Sequence, residues 1–208
     1  MKLPRGHGCP GVGITPETGS IPSEPEPTEP ALVGDVLRFW FKEVAHVDWF
    51  KKSDAVDAQI RDRFLALHAC LLAEDGHGLE TPRAMLAAVI VLDQFSRNIF
   101  RDDARAYAAD PIARRIARSV IDQGLDATMA AQEKRFLYLP FEHSEDARDQ
   151  RLSINLIEPL GDPEMTRYAV AHQVIIDRFG RFPHRNAILG RRSTPEEVEF
   201  LKSSMSSF

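Results

Sequence analysis

From Ala31 onward the apolar positions return at helical spacing. Val56, Ile60, Phe64, Leu67 and Leu71 are three or four residues apart and fall on one face of a helix. Thr81-Pro82 reads as an N-cap followed by proline at the first helical position, where its missing N–H costs nothing. The helix opened there runs through Phe95 and is apolar nearly all round, with Met85, Leu86, Val89, Ile90, Val91 and Leu92. Such a helix is expected at the centre of a fold. Asp110-Pro111 opens another, with Ile112, Ile116 and Val120 aligned. Ser144 is placed to cap a helix carrying Leu152, Leu156 and Leu160, with Glu145 and Asp146 suited to its positive end. Asp162-Pro163 opens a helix that ends near Phe179, and Thr194-Pro195-Glu196-Glu197 reads as a capping box. No run of alternating β-branched residues marks a strand. The expected fold class is all-α, an antiparallel helical array or bundle over residues 31–208.

Residues 1–30 depart from this pattern. They hold seven of the 14 prolines and almost no large apolar side chains. Such a segment buries too little surface to offset its ordering entropy, so it reads as a disordered tail. Within it, Gly6-His7-Gly8-Cys9-Pro10-Gly11 matches a dinucleotide-binding pattern by letter. That motif works only between a strand and a helix start, and neither flanks it.

Two local features bear on packing. Leu92-Asp93-Gln94-Phe95-Ser96-Arg97 closes one apolar helix and Ile176-Asp177-Arg178-Phe179-Gly180-Arg181 closes another. An Asp near a helix C-terminus opposes the dipole, and an Arg four residues on is placed to neutralise it. The echo, if structural, fits stacked helix pairs. Separately, Phe39-Trp40-Phe41 and Trp49-Phe50 are consecutive aromatics that cannot share one helix face. They read as core packing against two neighbours, with a peptide groove as the alternative.

Composition narrows the class. Apolar residues at 43% and charged residues at 27% are ordinary for a soluble globular chain. The stretch Ala84 to Leu92 is far too short to span a bilayer, which takes about 20 residues. Lys2 and Arg5 are not followed by the apolar run of a secretory signal, and a cytoplasmic location is expected. The two cysteines, Cys9 and Cys70, make neither a disulfide framework nor a paired metal-ligand spacing, and Cys70 reads as a small buried hydrophobe. A net charge of −5 disfavours nucleic acid as a partner of the whole surface.

Four polar clusters interrupt the apolar surroundings: Asp93 to Arg101, Pro140 to Asp146, His172, and Arg178 to Asn186 continuing to Arg192. The stretches Leu37-Arg38-Phe39-Trp40-Phe41, Asp93-Gln94-Phe95-Ser96-Arg97-Asn98, His143-Ser144-Glu145-Asp146 and Gly180-Arg181-Phe182-Pro183-His184-Arg185-Asn186 resemble the bacterial family named domain of unknown function 924. Leu189-Gly190-Arg191 and Ser193-Thr194-Pro195-Glu196-Glu197 fit it too. The resemblance runs in order from about Val33 to Leu201. It implies a tetratricopeptide-like helical fold and no established activity or cofactor.

The clusters therefore have to be weighed as chemistry. Arg178, Arg181, Arg185, Arg191 and Arg192 follow Asp177 with no acid between them. The planar guanidinium fork suits phosphate or carboxylate. With the other clusters they define a ligand-binding set for a small anion: Asp93, Arg97, Asn98, Arg101, His143, Glu145, Asp146, His172, Arg181, His184, Arg185 and Asn186. Arg97, Arg181 and Arg185 would be the anion donors, and His143 or His172 the acid–base group. The alternative is that the arginines would pair with Asp93, Asp177, Glu145 and Asp146 as a buried network that only joins helices. The histidines and carboxylates match no compact metal motif, so no metal site is assigned. No G-x-S-x-G elbow is present, and Ser144 and Ser96 read as a cap and a small helix-end residue. Two function classes remain: a small-anion site, or a helical scaffold for a peptide partner.

Overall fold

The computed structural model describes residues 31–203. The tail expected before residue 31 lies outside them. Among the described residues every regular element is helical and there is no strand. Helix α1 (Ala31–Arg38) runs into a π turn over Phe39–Glu43. Helix α2 (Asp54–Ala73) starts where Ser53 Oγ accepts from Val56 N. Helix α3 (Pro82–Val89) starts where Thr81 Oγ1 accepts from Ala84 N, widens into a π turn over Ile90–Phe95, and resumes as α4 (Ser96–Ile99). Then follow α5 (Asp110–Asp122), α6 (Ala131–Glu142), α7 (Ala147–Ile157), α8 (Pro163–Phe179) and α9 (Pro195–Phe200).

The α3 segment is the centre of the fold. Every residue from Leu86 to Ser96 is buried, and α1, α5 and α6 pack around α3. Helix α2 lies over the π turn, burying Ile60, Phe64 and Leu71 of its expected stripe. Helices α6, α7 and α8 pack each on the next, which is the array expected. Of the aromatic run, Phe39, Trp40 and Trp49 are core, Phe41 is half-buried and Phe50 is exposed. Phe39 meets Phe64 and Phe95, and Trp40 meets Trp49, Phe95 and Phe136. Trp49 Nε1 donates to the carbonyl of Trp40, which satisfies its polar edge. Cys70 is half-buried on α2 and is not a free thiol, which corrects its reading as a small packed hydrophobe.

Two other expectations change. The cap of α7 is Asp146, whose Oδ1 accepts from Arg148 N. Ser144 Oγ instead donates to Asp149 inside the first turn and accepts from Asp146 N, so it ties the connection together from outside the helix. The sequence echo is realised once. Asp93 pairs with Arg97 at 3.2 Å, but Asp177 is exposed and Arg181 is taken by Glu197 of α9. Gly180, with φ of 66°, ends α8 in the left-handed region and turns the chain away before that pair can close.

Candidate functional site

An open cleft of about 700 Å³ forms where the 3-10 turn Ala104–Tyr107, the start of α5, the α6–α7 connection and the 3-10 turn Pro183–Arg185 converge. Its walls include Tyr107, Asp110, Arg114, His143, Glu145, Asp146 and Arg185. That volume suits a small ligand.

The cleft rests on Asp93. The π turn places this carboxylate, fully buried, in an otherwise apolar helix, and π turns inside helices recur at functional sites. A buried charge needs partners. Gln94 Nε2 donates to Oδ2 at 2.6 Å, and His143 Nδ1 lies 2.9 Å from both oxygens. Burial alone would raise the carboxyl's pKa. Arg97 and His143 outweigh that and hold it well below the usual carboxylate range. Arg97 also makes a two-pronged bond to Asp110, at 3.2 and 3.1 Å. Burial pushes the pKa of His143 down, against the pull of Asp93, so its imidazole favours the neutral form.

Arg185 stands differently. It is only 7% exposed, yet its guanidinium donates no hydrogen bond among the described residues, and its Nε is buried without a partner. Its nearest acid is Asp110 at 3.8 Å, a carboxylate already taken by Arg97. Rings hold it instead: the guanidinium carbon is 4.6 Å from the Tyr107 centroid and 4.5 Å from that of Phe182. Burial, then the charge of Arg97, lower its pKa, although it stays a cation near neutrality. The loop bearing it is pinned from below. Glu145 accepts from Phe182 N at 2.8 Å and from both Nη atoms of Arg191.

The acids facing the cleft have their own partners. Glu145 is bound to Arg191 and Asp146 to Arg148. Arg114, on the cleft wall, shares the single carboxylate of Asp149 with Arg118. The arrangement therefore favours an anion over a cation. Among the described residues no group of three or more His, Cys, Asp or Glu is placed to hold a metal ion.

Behind His143 lies His172, with ring centroids 6.2 Å apart. His172 Nδ1 is 2.9 Å from the carbonyl of Tyr168 and 3.1 Å from Glu142 Oε1. Burial pushes Glu142 up to about 8 and His172 down to about 3, so at neutral pH the pair is uncharged.

Of the residues singled out from the sequence, the structure gathers Asp93, Arg97, His143, Glu145, Asp146 and Arg185 at or beneath the cleft, with His172 in the layer behind. Asn98 and Arg101 instead grip Asp57 of α2. Arg181 and Asn186 bond to Glu197, which also closes the capping box of α9 through Thr194 N. His184 packs beside Phe182, with ring centroids 5.6 Å apart. These latter residues join elements and do not line the cleft. The sequence reading missed Tyr107, Asp110 and Arg114. Asp110 was visible as a helix opener, but nothing in its neighbourhood announces that its carboxylate reaches Arg97. Glu142, one residue from His143, was counted in the Pro140 to Asp146 cluster but not among the ligand-binding residues. A lone carboxyl in the apolar run Phe136-Leu137-Tyr138-Leu139-Pro140-Phe141 was the available signal.

A solved structure of a protein of unknown function from Agrobacterium tumefaciens is similar to this chain, at 42% identity and a TM-score of 0.78. The match covers 83% of this chain and 97% of that one. A search among curated proteins gives no match. No helix among the described residues is long and apolar enough to cross a membrane. The family model described as "Bacterial protein of unknown function (DUF924)" matches residues 36–205, and the chain belongs to that family.

Proposed function

We propose that the cleft binds a small carboxylate or phosphate on Arg185. The observation that carries this reading is a buried guanidinium held by two rings and given no hydrogen bond by the described residues. Buried donors in folded proteins are normally satisfied, and an unsatisfied one beside a cleft points to a ligand acceptor. Arg114, which shares the Asp149 carboxylate with Arg118, adds positive potential to the cleft lining. Isothermal calorimetry with inorganic phosphate, oxalate and succinate tests the reading, beside the melting curve of Arg185→Ala. The variant is expected to lose at least tenfold in affinity. It should cost only about 1–2 kcal/mol of stability through the lost ring contacts, because Asp110 keeps its bond from Arg97. A large fall in melting temperature with unchanged anion binding would mean that Arg185 is structural only, and the helical-scaffold reading would replace this one.

A further inference from the structure

Two histidines sit side by side under the cleft, and only one of them reaches it. His172 is buried, and its Nδ1 is occupied by the Tyr168 carbonyl and Glu142. The side chain of His143 is 16% exposed and lines the same cleft as Arg185. Its Nδ1 faces both oxygens of Asp93. An ionised carboxylate has no proton to give, so the shared proton belongs to Nδ1 and the lone pair of the neutral ring lies on Nε2. Nε2 makes no hydrogen bond with the described residues. Asp93 cannot swing away, because Gln94 and Arg97 hold it from other directions. A base oriented by a fixed acid, beside an anchor for a charged group, is the minimum arrangement for proton transfer on a bound molecule.

We propose that the cleft is a catalytic site in which His143 Nε2 takes a proton from a small carboxylate or phosphate ester anchored on Arg185, with Asp93 as the positioning residue. This rests on the anion-binding reading above. In the step, an O–H or C–H bond of the anchored molecule breaks and its electron pair stays there. An N–H bond forms at Nε2, Asp93 balances the imidazolium, and the proton is given back before release. No oxidant or second reactant is needed.

The test is a long-range ¹⁵N–¹H spectrum of the full chain, with the His143 signals assigned by loss in His143→Gln. The Nδ1–H tautomer is expected in the free protein, and Asp93→Asn should shift the population toward Nε2–H. A merely structural Asp93 would leave the tautomer unchanged. Addition of phosphate, oxalate or succinate is expected to move the Nε2 signal of His143 while that of His172 stays in place. An Nε2–H tautomer in the wild-type protein overturns the proposal whether or not Asp93→Asn folds. Calorimetric binding with an unmoved His143 Nε2 overturns it while leaving the anion site standing. Absence of binding by all three anions removes both.

Discussion

At the scale of single residues, Glu142 is the clearest case of a charge state imposed by burial. An ordinary glutamate loses its proton near 4.5, whereas this one holds it to about 8. Between those values the folded chain keeps a proton that the unfolded chain has released. Its contribution to stability is therefore whole below about 4.5 and is lost as pH rises toward and through 8. One proton corresponds to at most about 1.4 kcal/mol per pH unit. Glu142→Gln keeps the shape and an acceptor for His172 but cannot ionise. Urea unfolding at pH 6 and pH 9 should show the variant losing less stability than the wild type over that interval. Equal losses would show that the carboxyl is already charged at pH 6 and paired with an imidazolium.

At the scale of elements, what was legible from the sequence was what is decided locally. Thr81, Asp162 and Thr194 open helices where they were expected to, because a cap needs only its own side chain and the next turn. The π turn at Ile90–Phe95 was not legible. Nothing in Ile-Val-Leu-Asp-Gln-Phe differs from an ordinary apolar helix, and packing from α2 and α5 accompanies the extra residue. The same limit explains the site. Asp93, His143 and Arg185 stood out as polar residues in apolar runs. Tyr107 and Asp110 belong to elements that read as plain connections and an amphipathic helix. Conversely Arg181 looked like an anion donor and proved to be a strut, since Glu197 lies 16 residues away and reaches it only once α9 folds back. Close approach between elements was equally hidden. Gly76 follows α2 with φ of 67°, and an added Cβ would lie 2.8 Å from both Ile112 and Ile116 of α5. Gly124 has a similar φ of 66° with nothing within 4 Å. Gly76→Ala should therefore cost about 2–4 kcal/mol, from backbone strain plus overpacking, and Gly124→Ala about 1 kcal/mol from strain alone. Matching melting temperatures for the two variants would show that α5 yields without cost.

At the scale of the whole molecule, buried histidines and Glu142 pull stability in opposite directions with pH. Burial holds His68, His143 and His172 below their ordinary value of 6.5. Below about 6.5 the unfolded chain takes up protons that the folded chain refuses, so their contribution is whole above 6.5 and is lost as pH falls. Over the same range Glu142 acts the other way, because its proton is bound only in the folded state. Between about pH 4.5 and 6.5, three groups against one leave a net loss of stability as pH falls. Above 6.5 the histidines are neutral in both states and Glu142 alone is left, so stability declines toward alkaline pH as well. The bridged carboxylates enter last. Asp57, Glu145 and Glu197 are held below their ordinary values by arginines reaching from other segments of the chain, and Asp93 by Arg97 one turn on. Their contribution is lost only below about pH 4.5, where the unfolded chain begins to protonate its acids. Urea midpoints measured from pH 4 to 9 should form a dome with its top near 6.5 and a steeper acid limb. His172→Gln should flatten the acid limb and Glu142→Gln the alkaline one. A midpoint that climbs steadily from pH 5 to 9 would mean that Glu142 ionises freely in the folded protein. The layer beneath the cleft would then be charged, and the neutral pair behind His143 would have to be abandoned.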